Sequence, residues 1–85
     1  MEISVEWDET KAFAYLRKHH VGFDLAARVF LDRLAISYQD RIENGEQRWQ
    51  ILGMVDEYLL LLVAHTVNVA EGEDLIRIIS ARKAD

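Results

Sequence analysis

The stretch 58–67, reading YLLLLVAHTV, constrains the fold more than any other part of this 85-residue chain. It is nearly all apolar and rich in branched side chains, the composition of a strand. Its longest apolar run, 58–64, falls far short of the roughly 20 residues that a membrane-spanning helix needs. Its length suits a strand buried on both faces. Such a strand must be central, so the rest of the chain has to supply hydrogen-bonded neighbours on each side.

Those neighbours are legible. Leu34, Ile36 and Tyr38 alternate with Ala35, Ser37 and Gln39, the period-two pattern of a strand. Within 40–46, Asn44-Gly45 is a hairpin-turn signal. Beyond it, 48–55 sets Trp49, Ile51 and Val55 against Arg48 and Gln50, with Gly53 read as a bulge. Asp56-Glu57 makes a tight turn into the central strand. A loop is expected over 68–74 and a last strand over 75–81. A short strand over 2–6, with Ile3 and Val5 on one face, opens the chain.

Between the first two strands the period changes. Ala12, Phe13, Tyr15 and Leu16 recur at helical spacing from Glu9 to about His19, with Asp8 as the N-cap. The acidic start and basic end of this helix suit its dipole. Gly22 interrupts the pattern. Phe23, Ala26, Ala27 and Phe30 then follow the i, i+3, i+4, i+7 template, predicting a second short helix over 24–31. The order β-α-α-β-β-β-β predicts an α+β fold: two N-terminal helices packed on one face of an antiparallel sheet, with the first strand at an edge or in the middle. At this length the expectation is a single domain, 1–85, with a thin core.

Composition narrows the function. The chain is 51% hydrophobic and 29% charged, the balance of a soluble globular protein. It has no cysteine, which excludes disulfides and thiolate metal sites and points to a reducing cytoplasm. His19, His20 and His65 lack metal-ligand spacing, so neither a metal nor a cofactor is expected. Residues 1–7 do not read as a secretory signal. Fifteen acids against ten bases give a net charge of −5, which excludes a bulk-basic coat and leaves only a local basic site for a polyanion. Bases do cluster: Lys11, Arg17 and Lys18 in 11–20, and Arg77, Arg82 and Lys83 in 77–83, both segments free of acids. A fold that brings the two together would create such a site.

Three sets of residues, in order along nearly the whole chain, resemble the BrnT toxins. The first is Trp7-Asp8, Lys11-Ala12 and Leu16-Arg17-Lys18-His19, followed by Phe23, Ala26, Ala27, Val29 and Phe30. The second is Gly45-Glu46-Gln47-Arg48-Trp49 with Gly53 after it. The strongest is the closing Ile76-Arg77-Ile78-Ile79-Ser80-Ala81-Arg82-Lys83-Ala84. The resemblance implies a toxin of a type II toxin–antitoxin module with a fold like the RelE ribonucleases. Such toxins cut RNA and stop translation. A DNA-binding antitoxin, BrnA, neutralises them and represses the operon, and a toxin homodimer can form within that complex. The sequence departs from the family at Tyr15, where Asn is usual, and at His20, where Gly is usual. The family's charged C-terminal helix beyond Ala84 has no counterpart in it.

Cutting RNA without a metal requires cations to stabilise charge on the phosphorane and groups that move protons. Arginine's planar fork suits a phosphate. The expected catalytic residues are Lys18, His19, Arg48, Arg77 and Arg82, with Lys83 and Glu46 contacting RNA. Each has a structural alternative. Lys18-His19 satisfies a helix C-terminus. Arg48 pairs across strands with Glu46 or Asp40, and Arg77 takes part in a buried ion pair. Arg82 and Lys83 form a solubilising basic end, and Glu46 is a solvated turn residue. His65 reads as a hydrogen-bonded core residue, His20 as surface, and Trp7 and Trp49 as core anchors. Two functions stay open: an endoribonuclease toxin with its groove on the sheet face opposite the helices, and a toxin-fold protein without cleavage activity that acts only by binding a partner.

Overall fold

The computed structural model describes residues 2–84. The chain forms β1 (Glu2–Trp7), α1 (Glu9–His19), α2 (Phe23–Ala27), a 3-10 turn (Arg28–Leu31), β2 (Ile36–Glu43), β3 (Glu46–Val55), β4 (Leu59–Ala70) and β5 (Glu73–Lys83). The strands make one five-stranded sheet in the order β1-β5-β4-β3-β2. The apolar stretch is thus the middle strand, as its composition requires. Strands β2 to β5 form an antiparallel meander, and β1 joins the edge parallel to β5. The sheet is therefore mixed rather than wholly antiparallel. The helical segment returns the chain to the end of the sheet where β1 finished, so β2 runs opposite to β1. Three hairpin reversals then leave β5 parallel to β1.

Asp8 caps α1 as expected: its Oδ1 accepts from the backbone N–H of Thr10 at 2.8 Å and of Lys11 at 3.2 Å. The helix ends at His20, whose φ of 60° lies in the left-handed region that favours glycine. Only part of the anticipated apolar stripe is used. Ala12 and Tyr15 pack against the core, while Phe13 and Leu16 face outward. Tyr15 stacks on His19 and lies against Phe23. The helix predicted over 24–31 is instead one turn of α-helix followed by a tighter 3-10 turn. It lies beside α1 on the sheet, α2 against β5 and the 3-10 turn against β3.

The core lies between the helices and one face of the sheet. Val21, Phe23, Ala26 and Val29 meet Ile51, Val55, Leu61, Val63, Ile78 and Ala81. Gly53 belongs here and is not a bulge. A Cβ on it would stand 2.8 Å from Val29 Cγ1 and 3.1 Å from Ala35 Cβ, so the 3-10 turn packs this closely only against a glycine. The irregularities lie elsewhere, in β2 between Gln39 and Ile42, and between β4 and β5 at Ala64/His65, where Ile79 is the extra residue. The loop expected over 68–74 is strand on both sides of a two-residue turn, Glu71-Gly72, both at positive φ. Burial of β4 on both faces is confined to its centre. His65 on the helix side and Ala64 and Thr66 on the other are buried, while 67–70 are exposed. Among the described residues no second layer covers the outer face. Long side chains on the neighbouring strands do so instead.

Candidate functional site

Strand pairing fixes which side chains share the outer face. Glu6 of β1 stands opposite Arg77 of β5, and Arg77 opposite Thr66 of β4. Trp49 pairs with His65, so one step along the same ladder Arg48 of β3 stands opposite Thr66. A single row thus crosses four strands: Arg48, Thr66, Arg77, Glu6. Each arginine has a carboxylate on its outer side. Arg48 Nη2 donates to Glu43 Oε2 at 2.6 Å, and Arg77 Nη1 lies 3.9 Å from Glu6 Oε2. Between the arginines lies only the small Thr66 side chain.

A cleft of about 240 Å³ opens over this row, lined by Glu6, Lys11, Glu46, Arg48, Thr66, Asn68, Leu75, Arg77 and Ile79. Charge separates it from the other clefts. The one at Arg28 and Asp56 also carries Asp32 and Glu57, and the one at Trp7 and Phe23 carries Glu9 and Asp24 without a base. Those two repel a polyanion. The sheet-face cleft sets three bases against two acids among its lining residues, more bases than acids, unlike those two. Inside it, Arg48 Nε and Thr66 Oγ1 are buried side-chain atoms without a hydrogen-bond partner.

Of the residues anticipated from sequence, the fold brings Arg48, Arg77 and Glu46 together in this cleft, on the face opposite the helices. Arg48 takes neither Glu46 nor Asp40 as its partner but Glu43, which also lies 3.5 Å from Arg41 Nε. Arg77 is not buried. Its side chain is 56% exposed, on a strand next to the sheet edge. Lys18 and His19 close α1 outside the cleft; Lys18 is exposed, and His19 is held against Tyr15. Arg82 shares the outer face with Arg77 but pairs with Leu62, four residues along β4 from Thr66. That places it about 13 Å away along the strand. Lys83, opposite the core residue Leu61, points to the other side. Sequence reasoning did not single out Thr66 or Glu6 for this cleft, and it held Lys11 only as one base of the 11–20 cluster. Lys11 was visible as a base one helical turn after an N-cap. For Thr66 no local pattern exists, because a threonine at the end of an apolar strand reads as one more branched residue.

His65 takes no part in the cleft. It lies on the helix side, buried, with Nδ1 3.2 Å from the Val63 carbonyl oxygen and its ring edge-on to Phe30. Burial holds its imidazole below the usual range, which keeps it neutral. Trp7 meets Phe23 edge-on within the core, and its Nε1 donates to Glu9 Oε1 at 3.0 Å. Among the described residues, no helix is long and apolar enough to cross a membrane.

Comparison with known proteins gives a family and a fold. The family model described as "Ribonuclease toxin, BrnT, of type II toxin-antitoxin system" matches residues 7–85. The crystal structure of the ribonuclease toxin BrnT from Brucella abortus superposes with a TM-score of 0.67. That alignment covers 100% of this chain and 99% of the other at 22% identity, a likeness of fold. No curated protein matches the sequence.

Proposed function

The chain belongs to the family of BrnT ribonuclease toxins of type II toxin–antitoxin systems, and we propose that it is a metal-independent endoribonuclease whose active site is the cleft over Arg48 and Arg77. The observation that carries this reading is the pairing of those two guanidinium groups on either side of Thr66, in the one net-basic cleft described above on an acidic protein. A phosphodiester bridging them would gain charge stabilisation that grows as the phosphorane forms. In the proposed reaction the ribose 2′ oxygen attacks phosphorus and the bond to the 5′ oxygen breaks. The carboxylate of Glu46 takes the 2′ proton, and Lys11, the cleft's ammonium group, supplies one to the leaving oxygen. RNA is longer than the cleft. Lys18 lies two helical turns beyond Lys11 on the same stripe of α1, and Arg82 continues the outer face of β5, so both extend the phosphate track. His19 and Lys83 lie off that line. The partner would be a BrnA-like antitoxin, in a complex that can hold two toxin copies.

The test is cleavage of a labelled RNA by the purified chain with a chelator present, alongside growth arrest on induction. Arg48→Ala and Arg77→Ala are expected to lose at least about 100-fold in rate, the scale of removing one charge-stabilising donor, while Lys83→Ala stays near wild type. Equal cleavage by all variants would reject the assignment. The second reading, a protein that binds its partner without cutting, is favoured by Glu43 and Glu6 already engaging both arginines. It predicts antitoxin binding by the wild type with no RNA cleavage at all.

A further inference from the structure

We propose that Thr66 is a phosphate-binding residue, its buried hydroxyl donating a hydrogen bond to an oxyanion held between Arg48 and Arg77. The inference deepens the ribonuclease reading by naming a ligand-contacting residue, but phosphate binding can be measured apart from cleavage.

Three observations converge on Thr66. First, it is 1% exposed, yet its Oγ1 has no hydrogen-bond partner, and the same is true of Arg48 Nε across the ladder. More than nine in ten buried polar groups in folded proteins are satisfied, so two orphans facing one cleft mark a place for a polar ligand. Second, the flanking residues leave the inner side free. Glu43 engages the Nη2 end of Arg48, and Glu6 stands on the far side of Arg77. The unpaired Nε of Arg48 and the Thr66 hydroxyl remain. Third, size matters. Adjacent strands lie about 4.8 Å apart, so the backbones of Arg48 and Arg77 are separated by two such steps with Thr66 midway. A larger residue there would prop the arginine arms apart. A small hydroxyl leaves space above it and offers a donor at the floor.

The donor set defines the ligand class. A planar carboxylate is satisfied by guanidinium groups at its edges, as Glu43 is by Arg48 and Arg41. Donors from three adjacent strands, two of them cationic, enclose a tetrahedral oxyanion: inorganic phosphate or a phosphodiester. The Arg77 side chain, half exposed and with its carboxylate partner at 3.9 Å, can swing to admit it.

The experiment titrates the intact chain with inorganic phosphate, and separately with a four-nucleotide DNA that cannot be cleaved by 2′ attack. Binding is followed by calorimetry and by the Arg48 Nε–H resonance in a nitrogen–proton correlation spectrum. In the wild type that resonance should shift on binding. Thr66→Val should weaken binding of both ligands about tenfold or more, and Thr66→Ser, which restores the hydroxyl, should return to within about threefold of wild type. Thr66→Ala provides a second hydroxyl-free variant should the valine fail to fold. Wild-type affinity in Thr66→Val, or no shift of Arg48 Nε–H in the wild type, would overturn the proposal. A wild type that binds phosphate but leaves RNA intact would reject the ribonuclease reading and leave this site standing. Cleavage of RNA with wild-type phosphate binding in Thr66→Val would do the reverse.

Discussion

Thr66→Val should make this protein more stable, although it deletes a polar group from the proposed phosphate cleft. The Thr66 hydroxyl is withdrawn from water and finds no acceptor or donor in return. Leaving such a group unsatisfied costs about 1–3 kcal/mol. Replacing it with a methyl of similar size removes that cost and adds up to about 0.8 kcal/mol for the extra buried carbon. Close fit against neighbours shaped for an oxygen takes some of this back, for a net gain of about 1–2 kcal/mol. At roughly 4–8 °C per kcal/mol for a domain of this size, the midpoint of thermal unfolding should rise by about 5–10 °C. Urea unfolding followed by circular dichroism measures this directly: the midpoint should rise with an unchanged slope. Thr66→Ser, which keeps the hydroxyl and loses the methyl, should fall below wild type. An unchanged or lowered midpoint in Thr66→Val would show that the hydroxyl is satisfied in solution, and the argument from an orphaned donor would fail. A gain would identify Thr66 as a position where stability is given up for the cleft.

Two further outcomes follow from particular residues. His20 ends α1 at a φ of 60°, so His20→Gly should stabilise the fold by about 1 kcal/mol by removing the Cβ penalty of the left-handed region; calorimetry showing a loss would contradict the cap assignment. His65 is held neutral by burial. The unfolded chain takes up a proton there as the pH falls through about 6.5, whereas the folded chain does so only at lower pH. Between those points the unfolded state binds more protons, so stability should decline on acidification, by at most about 1.4 kcal/mol per pH unit from this group. His65→Gln should flatten that part of the stability curve, and an identical curve for both proteins would refute the assignment.

Local chemistry decided much of this protein without any tertiary information. Asp8 before an amphipathic run specifies a helix start, Asn44-Gly45 specifies a hairpin, and 58–67 can only be a central strand. Each depends on neighbours within a few residues, and each holds in the structure. The motif around Arg48 and the closing Ile76–Ala84 segment likewise carried the family, because they are contiguous. The boundaries that failed were those where distant packing overrides local preference. Gly53 reads as a bulge in isolation but is a glycine because Val29 and Ala35 press on it, and 68–74 reads as a loop although cross-strand pairing with β5 extends β4 to Ala70.

The site itself was a matter of tertiary structure. In a regular strand Arg77 and Arg82, five residues apart, would face opposite sides. The extra residue Ile79 in the β4–β5 ladder shifts the alternation, so both look outward while Ile78 and Ala81 both look into the core. No one-dimensional pattern announces that shift, because it arises from how one strand is paired with another. Thr66 becomes a buried donor between two guanidinium groups only when β3, β4 and β5 are set in register. Side-chain chemistry is written residue by residue, but what a side chain can bind depends on neighbours that hydrogen-bonded ladders bring to it from elsewhere in the chain.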